Sequence, residues 1–88
     1  MESENRLSVT AVVPSLNPTR QLVKTVEGLL AVGFTGVVLV NDGSAPEALS
    51  YFEEAARSPK LTLLTHPANQ GKGAAMKTAF TWLLENRP

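Results

Sequence analysis

Hydrophobic residues along the chain fall into two alternating patterns, short β-branched runs and longer stretches with a three-to-four-residue period. The first run, LSVTAVV at 7–13, breaks off at Pro14-Ser15-Leu16-Asn17-Pro18, as a strand does when it enters a loop. Leu22, Val23, Val26, Leu29 and Leu30 then share one face of a helix that Gly33 should stop. Asn17 is a good N-cap for it, with Pro18 at the first helical position. Gly36-Val37-Val38-Leu39-Val40 is continuously apolar, as expected of a strand covered on both faces in a parallel sheet. Asp42-Gly43 looks locally like a hairpin turn. A hairpin needs a second strand, however, and residues 45–57 are rich in helix formers, with Leu49, Phe52 and Ala56 at helical spacing. Ser44 is the expected cap of that helix, with Glu47 closing a capping box and Pro46 tolerated in the first turn. Residues 61–65 give a third strand. From about Gly71 or Lys72 onward, Ala75, Met76, Ala79, Phe80, Leu83 and Leu84 mark a third helix.

The pattern βαβαβα, with short connections, predicts an α/β fold of three layers: an open parallel sheet of three strands with helices on both faces. In such sheets ligands sit outside the carboxyl ends of the strands. Three loops leave those ends, at 14–17, 41–44 and 66–73, and they hold the one aspartate, Asp42, the one histidine, His66, and Gly71-Lys72-Gly73. Asp42 could simply close an Asx-turn, a role compatible with binding. Lys72, between glycines at the mouth of a helix, suits a phosphate. His66, followed by proline, fits a packing or strand-end residue. Asn17 and Asn69 fit caps, Phe80 and Trp82 core or covering positions, and Glu53-Glu54 a solvated helix face.

Composition narrows the partners. A chain of 88 residues is one small domain, burying somewhat over roughly 60% of its unfolded surface. Eight basic residues balance eight acidic ones, so a nucleic acid polymer is not expected, while a small anionic ligand fits. No apolar run approaches the ~20 residues that cross a bilayer, and residues 1–6 are polar, unlike a secretory signal. The expected location is cytoplasmic. There is no cysteine, hence no disulfide, thiolate nucleophile or thiolate metal site.

Familiar phosphate loops do not fit. A P-loop would need glycine at His66 and Ser or Thr at Gly73. A dinucleotide fingerprint would follow the first strand, whereas Gly71 and Gly73 follow the third. An aspartyl phospho-receiver would need acidic residues after the first strand, where Pro14-Ser15-Leu16-Asn17 stand.

The stretches AVVPSLNP, VVLVNDGS and HPANQGKGAAMKTAF together resemble the nucleotide-binding start of family 2 glycosyltransferases, from about Leu7 to the last helix. The resemblance implies part of a nucleotide-diphospho-sugar transferase (Rossmann-like) fold. It implies that Pro14, Ser15 and Leu16 line the base and ribose of a nucleotide, with Asn17 in the same motif. It also implies that Asp42, beside Gly43, accepts from a uracil-type base, while Asn69, Gly71 and Lys72 border base and diphosphate. An acceptor-only carboxylate suits an imide N–H, and an ammonium suits a diphosphate. Leu16 stands where the family has an aromatic ring. The family's metal-binding Asp-x-Asp pair and its later catalytic base have no counterpart, since Asp42 is the single aspartate. The chain is therefore expected to be the N-terminal, nucleotide-binding part of a longer glycosyltransferase, inactive alone. The full-length enzyme would use Mg²⁺ or Mn²⁺ and a nucleotide-sugar, most simply a UDP-sugar, with the parent membrane-associated on the cytoplasmic side as one option. The alternatives are a non-catalytic nucleotide-binding or regulatory module and a purely structural domain. In the family's sheet a further strand pairs beside the first, so self-association along that edge is a further expectation.

Overall fold

The computed structural model describes residues 9–86. Three parallel strands, β1 (Thr10–Ser15), β2 (Gly36–Asp42) and β3 (Leu61–His66), lie in the order β1-β2-β3. Between them run α1 (Gln21–Ala31) and α2 (Leu49–Ala55), the latter entered through a 3₁₀ turn at Pro46–Ala48, and α3 (Lys72–Asn86) follows β3. The start expected for the first strand, Leu7 and Ser8, lies outside the described residues.

Side-chain alternation in β2 feeds two cores at once. Val37 and Leu39 meet Leu22 and Val26 of α1 and Phe52 and Ala55 of α2. Val38 and Val40 face the other way and meet Ala75 and Ala79 of α3. All four β2 residues are at most 1% exposed, which is why the run reads as continuously apolar. The expected three layers are present, with α1 and α2 on one face and α3 on the other.

Four local expectations are corrected. β1 continues through Pro14 and Ser15 where a loop was expected. The Val9 carbonyl accepts the Thr35 N–H at 2.9 Å, so by alternation Pro14 turns its missing N–H toward the sheet edge, where proline does no harm. Neither helix start uses the expected cap. α1 begins at Gln21, whose N–H donates to Thr19 Oγ1 at 3.3 Å and not to Asn17, and the 3₁₀ turn begins after Ala45 with no side-chain cap bond. Asn17 and Ser44 bond each other's loops instead, and no Glu47 capping box forms. In α3 the apolar stripe is only half used: Ala75 and Ala79 are buried, while Phe80 and Leu84 are 50% and 66% exposed. α3 lies over β2 and β1, and a three-stranded sheet offers that helix one narrow row to cover.

The C-terminus of α1 follows expectation. Phe34 N–H donates to the Leu29 carbonyl (3.2 Å) and Gly33 N–H to that of Leu30 (3.3 Å), with Gly33 at φ +115°. This pair of bonds is a Schellman ending.

Candidate functional site at the carboxyl ends of the strands

The polar residues buried in the described chain are Asn41, Asp42 and His66. All lie at the carboxyl ends of β2 and β3. Each has hydrogen-bond partners, as burial requires. Asn41 Oδ1 accepts the Ser44 N–H at 2.9 Å, folding the chain sharply out of β2. Asp42 and His66 face each other in the β2–β3 register. Their side chains continue the even-numbered row toward α3, with His66 Nδ1 2.8 Å from Asp42 Oδ1. The same Oδ1 accepts the Gln70 N–H, and Oδ2 accepts the Gly71 N–H, each at 2.9 Å. The His66 bond, then those from the backbone, hold the Asp42 carboxyl below its ordinary value of 3.8 despite the opposing effect of burial. Three donors occupy three of a carboxylate's roughly four acceptor positions. One position on Oδ2 is left.

The three loops are tied to one another. Asn17, in the left-handed region at φ +49°, donates its N–H to Ser44 Oγ (2.8 Å) and accepts the Ala45 N–H on Oδ1 (2.7 Å). Gly43, at φ +76°, lies so close to the backbone of Ala68 and Asn69 that a Cβ would collide with both. Asn69 Oδ1 accepts the Gly71 N–H at 2.9 Å, an Asx-type turn at the foot of α3. The loop after β2 is thus clamped between its two neighbours before any ligand arrives.

Seven of the nine residues expected at the site, Pro14, Ser15, Leu16, Asp42, Asn69, Gly71 and Lys72, line one open cleft of about 470 Å³. That is within the range of small-molecule sites. The other two, Asn17 and Gly43, do not line it; they fix the loops that shape it. Leu16 is exposed in the cleft wall. Two residues were undervalued in the sequence. His66 is a direct partner of Asp42, and Thr78, one turn and a half into α3, reaches His66 Nε2 with Oγ1 at 2.7 Å. The pairing of Asp42 with His66 rests on a register, Val37 opposite Leu61, that no local signal gives. Nothing in the sequence marks Thr78.

Among the described residues no three His, Cys, Asp or Glu side chains gather as a cation's ligands. With Asp42 mostly occupied by N–H donors, these residues do not fit a divalent metal. No described helix is long and apolar enough to cross a membrane.

An open parallel sheet with helices on both faces and a cleft at the carboxyl ends of its strands defines an α/β domain. The chain belongs to glycosyl transferase family 2, whose profile matches residues 10–84. It is 27% identical over 84 residues to a protein of Methanocaldococcus jannaschii described as uncharacterized, covering 96% of this chain and 33% of that protein. The chain thus spans about a third of the length of that relative. No solved structure matches it significantly.

Proposed function

We propose that the chain forms the donor-nucleotide part of a glycosyltransferase, holding the nucleoside diphosphate of a nucleotide-sugar, most simply a UDP-sugar. The observation that carries this reading is the convergence of residues from three separate loops on one cleft, with a carboxylate at its floor and a lysine at its mouth. The remaining acceptor position of Asp42 suits the imide N–H of uracil. Lys72 opens α3, where free N–H groups and the helix dipole add to its charge in favour of a diphosphate. In this reading the chain binds and orients the donor. Sugar transfer, and any Mg²⁺ or Mn²⁺ that assists it, draws on residues other than those described, and the cytoplasm is the expected compartment.

Calorimetric titration with UDP, GDP and ADP, and with uridine alone, tests the assignment. UDP is expected to bind more tightly than ADP. Lys72→Met should weaken UDP roughly tenfold, the value of one charge-assisted hydrogen bond, and leave uridine nearly unchanged. Asp42→Asn should weaken both. Undiminished UDP binding in both variants would overturn the placement. Absence of any nucleotide binding by the parent chain would favour the purely structural reading.

A further inference from the structure

Asp42, which lines the cleft, begins a continuous chain of side chains that runs away from it through His66 of β3 to Thr78 of α3. Asp42 and His66 are 4% and 8% exposed. Burying two polar groups of this kind is costly unless each is matched, and a staple with no other task is better built from apolar side chains. The loops are in any case tied to Asp42 by the Gln70 and Gly71 N–H groups. The imidazole adds something those bonds do not: a third donor that fixes how the carboxylate is turned. An ionised carboxylate only accepts, so His66 Nδ1 must be the donor to Oδ1. In the neutral ring Nε2 is then an acceptor, and the Thr78 hydroxyl, 2.7 Å away, is the donor within reach. The carboxylate thus sets the tautomer, and the Thr78 hydroxyl, donating to the Nε2 that this leaves bare, holds the ring in the orientation from which it grips Asp42.

Resting on the nucleotide reading above, we propose that Thr78 and His66 act as a positioning relay that never touches the ligand. The relay orients Asp42 so that the one unused position on Oδ2 faces the cleft, and it thereby sets the preference for bases that present an N–H there. Uracil offers a donor at its N3, whereas cytosine has an acceptor at that atom and repels the carboxylate. Base preference thus depends on a residue in α3, twelve positions beyond His66.

Two measurements on the full chain test this. The first needs no nucleotide: the ¹⁵N spectrum of the His66 ring, followed upward in pH until its shifts stop changing, should show the proton on Nδ1 and a bare Nε2. A ring protonated at Nε2 alone overturns the relay. The second is the ratio of UDP to CDP affinity. Thr78→Val keeps the side-chain shape and removes the hydroxyl; it should shrink the ratio several-fold, up to about tenfold for one lost hydrogen bond, and Thr78→Ser should restore it. A merely structural role would lower the melting temperature of Thr78→Val and leave the ratio alone, and that result overturns the proposal. If Thr78→Val does not fold, His66→Asn, which retains a donor toward Asp42 without reaching Thr78, is compared with His66→Leu; equal ratios in the two overturn the proposal. A parent chain that binds neither nucleotide defeats the nucleotide reading itself, an outcome separate from parent binding with an unchanged ratio in the variants.

Discussion

The two ends of the same sheet are built differently. At the amino end, the connections into β2 and β3 are closed chiefly by the backbone: Thr35 N–H to the Val9 carbonyl, Val37 N–H to that of Lys60, and the Schellman bonds around Gly33. At the carboxyl end, the side chains of Asn17, Asn41, Ser44, Asn69 and Asp42 each accept backbone N–H groups from the loops. Of the four positive-φ residues among those described, three, Asn17, Gly43 and Gly71, stand there too. Backbone closure suffices to return the chain to the sheet. Holding three loops in fixed relation around a cleft requires side chains aimed across the gaps between them, and that is what separates a connecting end from a binding end.

Paired glycine substitutions should break this comparison most sharply. Gly43→Ala at the carboxyl end meets both a disfavoured φ and a backbone collision with Ala68 and Asn69, and should cost roughly 3–5 kcal/mol by urea denaturation, or prevent folding. Gly33→Ala at the amino end faces only the φ penalty, since a Cβ there meets nothing within 4 Å; about 1–2 kcal/mol is expected. Equal losses would mean that the loop clamp is absent.

A smaller effect is expected from the Asn17 clasp. Asn17→Ala forfeits the bond to the Ala45 N–H and leaves alanine in the left-handed region, for a total of about 1–2 kcal/mol. Asn17→Gly relieves the backbone and should recover part of it. If glycine is no better than alanine in the same denaturation assay, the left-handed conformation is not what asparagine supplies.

The smallest effect is confined to acid. The folded-state pKa of Asp42 lies below its ordinary value of 3.8, so its ionised form stabilises the fold fully above that value. This contribution is lost as the pH falls through the lower folded value. Urea midpoints measured from pH 7 downward should therefore differ between the parent and Asp42→Asn by a constant amount until about pH 4, and converge below it. A difference that persists unchanged at pH 2 would detach the carboxylate from this network.

Much of the fold was legible because each signal was local. The both-faces burial of β2 showed in an unbroken apolar run, and α3 began where Gly71-Lys72 suggested. Capping was misread at Asn17 and Ser44 for a physical reason: a side chain that can cap its own helix can equally accept from a neighbouring loop, and only the neighbour's position decides. The α3 stripe misled similarly, since periodicity shows which residues share a face but not how much of that face the sheet covers. Phe80 and Leu84 stayed outside.

By itself the sequence determined the order of strands and helices, the loops that gather at one rim, and the motifs that mark the family. These follow from periodicity, turn chemistry and short-range spacing, all of which act within a few residues. Tertiary structure alone decided that Asp42 and His66 are paired across the β2–β3 register, that Thr78 completes their chain, and that Asn17 and Ser44 bind each other's loops. Those contacts span 12 to 28 residues, and hydrogen-bond geometry at that range is set by how strands register and how closely α3 can approach the sheet over Ala75 and Ala79.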